Sequence, residues 1–184
     1  MEIIKFDIMS DIDQYFYSQC RRIAKDLEEK IIFKYLKNDK DSYFSARSVF
    51  GVQFARILGY VGDVKNKVIL DLGCGSRHSG DSSEYVKFEP WLCRFLHELG
   101  EKTIGIDLAD LSEENFEHYS MDLSRPGSLD IIPNDSIDVI HSSGLLDSKA
   151  RLLAQANNCD TLEENLLKQV PRVLKGNGLF IYGI

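Results

Sequence analysis

The sequence predicts a parallel α/β sheet of about five strands flanked by helices, with two further helices ahead of it. Three observations carry this. Short apolar runs near 68–70, 103–106, 137–140 and 179–182 are bounded by glycines or turn residues. Runs of that kind suit strands buried on both faces. Helical patterns stand between them, and strands alternating with helices give a parallel sheet with right-handed crossovers. A glycine-rich turn, Gly73-Cys74-Gly75, follows the first run. In such sheets the ligand sits beyond the carboxyl ends of the strands.

The elements follow in order. Ile12, Phe16, Cys20, Ile23, Leu27, Ile31 and Tyr35 recur at steps of three and four, so residues 11–37 read as an amphipathic helix. Ser10 with Asp13 three residues on resembles a capping box at its start. Its aromatic residues Tyr15, Phe16 and Tyr35 read as core. After the polar break at 38–41, a second helix is expected over 42–58, with Gly59 and Gly62 near its end. Residues 68–70 read as the first strand, and a helix follows over 89–99 until Gly100 stops it. Residues 103–106 and 117–121 are the second and third strands. Residues 137–140, preceded by the turn Pro133-Asn134-Asp135, are the fourth. Thr161-x-x-Glu164 opens a helix to about 174, with Pro171 in its last turns. Gly176-Asn177-Gly178 then leads into the fifth strand.

The 184 residues suffice for about one domain, here an N-terminal helical cap at 1–66 and a core at 67–184. Hydrophobic residues make up 43%, enough for a packed core and against disorder. No apolar run approaches the roughly 18 residues of a membrane span. The first ten residues alternate charged and apolar types rather than forming a signal sequence. The cysteines at 20, 74, 93 and 159 form no C-x-x-C pair, which argues against a zinc site or a disulfide framework. No metal is expected, and the setting expected is reduced and cytoplasmic. Residues 1–65 hold 11 basic and 10 acidic residues, and residues 66–184 hold 11 and 19. An acidic core repels phosphate backbones, so nucleic acid is disfavoured as a partner.

The glycine turn carries the most chemistry. Without a Cβ, its backbone lets a ligand approach closely. A dinucleotide site wants G-x-G-x-x-G opening a helix at once. Here His78 stands at the third glycine and no helix pattern opens there, so that reading fails.

The stretch Val68-Ile69-Leu70-Asp71-Leu72-Gly73-Cys74-Gly75 resembles the first motif of the class I, Rossmann-like S-adenosylmethionine (SAM) methyltransferases. Thr103-Ile104-Gly105-Ile106-Asp107 resembles that family's second strand with its terminal acid. Met121-Asp122-Leu123 resembles the acid-bearing turn after the third, and 136–143 the fourth strand. Arg172-Val173-Leu174-Lys175-Gly176-Asn177-Gly178 resembles the turn before the fifth. Together they cover 67–184.

The resemblance implies a cofactor, S-adenosyl-L-methionine, left as S-adenosylhomocysteine (SAH) after transfer. It implies that Gly73, Cys74 and Gly75 pass under the amino-acid end and ribose, with Asp71 orienting the turn in part through backbone N–H groups. Asp107, with Leu108 beside it, takes the place of the acid that accepts the ribose hydroxyls. Asp122 would accept from the adenine amino group, with the Leu123 backbone alongside. His141 and Ser142 lie where the family holds the methionine part; His141 reads first as an orienting or structural histidine and only secondarily as a catalytic base, so the catalytic residue is left open.

The sequence also departs from the pattern. Arg77 stands where a further glycine is usual, and residues 76–89 form a polar insertion, expected to act as a loop over the cofactor or as a specificity element. The family's closing hairpin is expected to be absent. The last strand would then be a bare edge, shared with a second copy or covered by an N-terminal element. The fourth strand ends in His141-Ser142-Ser143-Gly144 rather than the N-P-P-Y type turn of nucleobase methyltransferases, so the acceptor expected is a small molecule. The N-terminal helices, with Tyr43, Phe44 and Arg47, would form a lid. The competing expectation is a SAM-binding or interaction module without catalysis.

Overall fold

A computed structural model of the chain describes residues 2–6, 53–76, 89–145 and 161–183. Several expectations lie outside those residues: the helix at 11–37, most of the helix at 42–58 with Tyr43, Phe44 and Arg47, residues 77–88 of the insertion, and Cys20 and Cys159.

Among the described residues six strands form one sheet. They are β1 (Glu2–Phe6), β2 (Val68–Leu72), β3 (Lys102–Asp107), β4 (Glu117–Ser120), β5 (Ile137–Ser143) and β6 (Leu174–Gly183). Their spatial order is β1-β6-β5-β2-β3-β4, and every pair is parallel. From β2 the chain steps outward to β3 and β4, then returns to the other side of β2 for β5 and β6. The direction of winding therefore reverses between β2 and β5, and a crevice opens at their carboxyl ends.

The central strands form where the apolar runs predict. In β2, four of five residues are buried, and β3 buries four of six. Among the described residues three helices cover the sheet: α1 (Ala55–Val61), α2 (Trp91–Glu98) and α3 (Thr161–Val173). On one face Phe54, Ile57, Trp91, Leu92 and Phe95 pack on Ile69, Val139 and Ile181. The rings of Phe54 and Phe95 meet edge to face at 4.6 Å. On the other face Leu166, Val170 and Val173 of α3 pack with Leu70, Ile104, Ile140 and Phe180. Gly62 ends α1 with φ 74°, its N–H donating to Leu58 O at 2.7 Å. The conformation needs a residue that tolerates positive φ.

Two findings correct the sequence reading. The expected bare edge at β6 is covered. Glu2–Phe6 pairs with it in register, Glu2 to Leu179 through Phe6 to Gly183, so the N-terminal alternative holds and sharing of that edge with a second copy does not. Residues 1–66 thus supply a strand of the sheet and a helix of the core. The last strand also begins earlier than expected, at Leu174, which pairs with Ile137 ahead of an irregularity in register. Asp138 explains that join. Its Oδ2 accepts from Val68 N–H at 2.9 Å and Lys175 Nζ at 2.6 Å, fastening the amino ends of three strands.

Candidate functional site

The glycine turn leaves β2 at the crevice. Gly73 and Gly75 have φ of 70° and 88°, a region costly for residues with a Cβ. A Cβ on Gly73 would also stand 3.0 Å from the Leu145 side chain. The turn is hung from β3. Gly73 and Cys74 donate their N–H groups to Ile106 O at 2.8 and 3.2 Å. Gly75 N–H donates to Asp107 Oδ2 at 2.9 Å, and Ala109 N–H to Asp107 Oδ1 at 3.1 Å. The Ser76 hydroxyl, fully buried, donates to Asp110 O in a short bond. The acid at the end of β3 is therefore the joint between the glycine turn and the loop after β3. Its partial exposure leaves the carboxylate open to a further donor. Leu108 beside it is 74% exposed.

Asp71 lies elsewhere than the resemblance implies. Among the described residues its buried carboxylate accepts no bond from the turn. Oδ1 meets His141 Nδ1 at 2.8 Å, and Oδ2 accepts from the Cys93 thiol at 3.8 Å. The reason is register. Asp71 pairs with His141 across β2 and β5, which puts both side chains on one face. The turn's N–H groups are meanwhile engaged by Ile106 and Asp107. His141 is fully buried, and its Nε2 has no partner among the described residues. The same holds for the Ser142 hydroxyl.

Asp122 opens the turn after β4. Oδ1 accepts from Ser124 N–H at 3.0 Å and Ser124 Oγ at 2.6 Å, and Oδ2 pairs with Arg125 at 3.3 Å. The Ser124 hydroxyl, with its N–H and Arg125, holds this carboxyl below its ordinary range, while burial, second to the hydroxyl, works against them. Leu123 is buried, its carbonyl held by Asn165 Nδ2 at 2.9 Å.

Sequence reasoning missed two clusters behind the turn. Arg94 in α2 is 1% exposed and lies between Glu89 and Glu114. Its guanidinium centre stands 4.7 Å over the Trp91 ring. Burial works against the charge, but the two carboxylates outweigh it and raise the Arg94 pKa. This ties the end of the insertion to the loop after Asp107, and a charge on the apolar side of a helix was its only signal. The second cluster is Cys74, Cys93, Leu111 and Phe116. A Cβ on Gly105 would lie 2.7 Å from Phe116 Cε2, 3.0 Å from Cys74 Sγ and 3.2 Å from Cys93 Sγ. An isolated glycine in a strand signals such a close approach.

No protein-family model matches the sequence, and no curated protein matches it. Solved structures do. One is an S-adenosylmethionine-dependent methyltransferase from Mesorhizobium loti, at 22% identity over 71% of this chain and 51% of that one, with a TM-score of 0.41. Another is a proposed S-adenosyl-L-methionine-dependent methyltransferase from Methanococcus maripaludis, at 15% identity, 97% and 67% coverage, and TM-score 0.41. A third is the trans-methyltransferase CalH in complex with SAH, at 14% identity, 87% and 52% coverage, and TM-score 0.40. The chain thus spans about half the length of two of them. The parallel strand order and the crevice beside β2 stand on the hydrogen-bonded register described above. Among the described residues no helix is long and apolar enough to cross a membrane, and no group of His, Cys, Asp and Glu could hold a metal ion.

Proposed function

We propose that this chain binds S-adenosyl-L-methionine at the carboxyl ends of β2 and β3 and transfers its methyl group to a small-molecule acceptor. One observation carries the reading. The Asp107 carboxylate, partly exposed at the end of β3, is fixed by Gly75 and Ala109 N–H groups directly beside the positive-φ glycine turn. A ribose diol needs such a fixed acceptor, and a cofactor backbone needs such a turn. The residues present fit the group. The two glycines of the turn carry no side chain, and His141 Nε2 and Ser142 Oγ at the end of β5 are buried without partners among the described residues. Asp107 and Leu108 would hold the ribose and flank the adenine, Asp122 and Leu123 would reach its edge, and Gly73 to Gly75 would underlie the amino-acid end. When bound, the cofactor supplies an electrophilic methyl group on a sulfonium.

His141 is held by Asp71 and shielded from solvent. Positioning the acceptor in line with the methyl group then carries most of the rate. That burial also favours a second reading, a cofactor-binding module without catalysis. Calorimetry with SAM, SAH and NAD tests the binding, with micromolar-range affinity for the first two and none for NAD expected. Heat with NAD and silence with SAM would overturn the reading. A labelled-methyl screen across acceptor classes separates enzyme from binding module.

A further inference from the structure

We propose that Cys74 and Cys93 form a reversible disulfide, driven by a peroxide, that deforms the glycine turn and weakens its hold on the cofactor. The weakening rests on the cofactor reading above; the disulfide does not. The two cysteines come from different elements, the turn after β2 and helix α2, yet their sulfurs share one seat over the bare Cα of Gly105. Both are free thiols and both are buried, Cys93 completely and Cys74 at 8% exposure. Leu111 and Phe116 close the cluster and keep the sulfurs together.

The chemistry balances with the peroxide alone. Cys74, the more exposed, takes one peroxide oxygen and becomes a sulfenic acid, and the first water leaves. The Cys93 sulfur then attacks that of Cys74. An S–S bond forms, the S–O bond breaks, and the sulfenic oxygen leaves as a second water with the Cys93 proton. The two thiols lose two electrons and the peroxide gains them. The Asp71 carboxylate, 3.8 Å from Cys93 Sγ, is placed to pass that proton on.

Burial sets the conditions. It is the main cause that pushes the Cys93 thiol well above its ordinary range, followed by the Cys74 thiol and Asp71. For Cys74 the Cys93 thiol pulls downward, but burial and the carboxylates of Asp71, Asp107 and Glu114 outweigh it. Thiols so held react slowly while the turn is closed. Oxidation therefore proceeds through opening of the turn, and the bond then traps a changed turn. Bonded sulfurs sit about 2.05 Å apart, closer than thiols in contact, so Cys74 is drawn toward α2. Its thiol also gives up the bond it donates to Gly75 O. Gly75 in turn holds Asp107 through a 2.9 Å bond, so the shift reaches the carboxylate at the centre of the site.

The test uses the full chain treated with hydrogen peroxide, then alkylated, digested and mapped by mass spectrometry, with SAH titrated by calorimetry before and after. A Cys74–Cys93 cross-link is expected, with SAH affinity at least tenfold lower and restored by dithiothreitol. Cys93→Ala, with Cys93→Ser as a second variant, should keep its affinity under peroxide. Absence of the cross-link, a cross-link that leaves affinity unchanged, or equal loss in the Cys93 variants would each overturn the proposal. If untreated protein binds no SAH, the cofactor reading falls, and the proposed weakening falls with it; the cross-link map still decides the disulfide.

Discussion

Replacing Asp107 with alanine separates two jobs that the structure gives one carboxylate. The first is binding. Charge-assisted bonds to a ribose diol are worth about 1.5–3 kcal/mol, so SAH affinity should fall roughly 10- to 150-fold. The second is internal. Alanine leaves the buried Gly75 N–H without its acceptor at 2.9 Å, and the half-buried Ala109 N–H loses one at 3.1 Å. An orphaned buried donor costs about 1–3 kcal/mol, which lowers the melting temperature by roughly 2–12 °C in a domain of this size. Asp110→Ala is the control. The Asp110 carboxylate caps Ser112, while its link to the turn runs through its backbone carbonyl, which alanine retains. Its SAH affinity should stay within twofold of wild type. The assay is calorimetric titration of SAH well below the variants' melting temperatures. A folded Asp107→Ala protein that binds SAH within twofold of wild type would refute the reasoning, as would equal losses in the two variants.

Three further outcomes are expected. Gly105→Ala drives a methyl group to 2.7 Å from Phe116 Cε2 and should destabilise by about 1–3 kcal/mol in urea denaturation, with Phe116→Leu restoring part; an unchanged midpoint would contradict the packing described. Burial pushes the Asp138 carboxyl upward, but Lys175, the Val68 N–H and Lys67 outweigh it and hold it below its ordinary value of 3.8. Its stabilising contribution is therefore present above that value and lost as pH falls below it, so the urea midpoint of Asp138→Asn should trail wild type at pH 7 and approach it near pH 3. Deleting residues 1–6 uncovers β6 and should produce concentration-dependent association by light scattering; a shortened chain that stays monomeric would show that β1 does not protect this edge.

Local pattern made the centre of the sheet legible and left its margin obscure. β2, β3 and β5 are buried on both faces over most of their length, so each carries a short, largely apolar run that chain periodicity detects. β1 is an edge strand with Glu2 and Ile3 exposed. Its alternation reads as a charged N-terminus, and nothing local names a partner at Leu179. The glycine turn and Asp107 were legible because each stands at a strand end beside its own signal. The Asp71–His141 pair was not. Seventy positions separate the two residues, and only the register of β2 against β5 places them 2.8 Å apart.

That register makes a row across the sheet: Ile181, His141, Asp71, Gly105 and His118 stand side by side on β6, β5, β2, β3 and β4. Its flank at Ile181 is ordinary core. Its middle is not, because a buried carboxylate and imidazole stand where apolar residues would cost less. Next to them a strand glycine gives up its side chain so that two sulfurs and a phenyl ring can occupy the space. Local preference and stability both argue against this composition at the centre of a sheet. Sites where such rules are broken are expected to be functional ones. Here the breach falls at the switch point between β2 and β5, directly beneath the glycine turn. The polar pair and Asp107 thus come from three neighbouring strands, β5, β2 and β3, with Cys93 reaching the same place from α2, and the sequence of each element shows only a fragment of that arrangement.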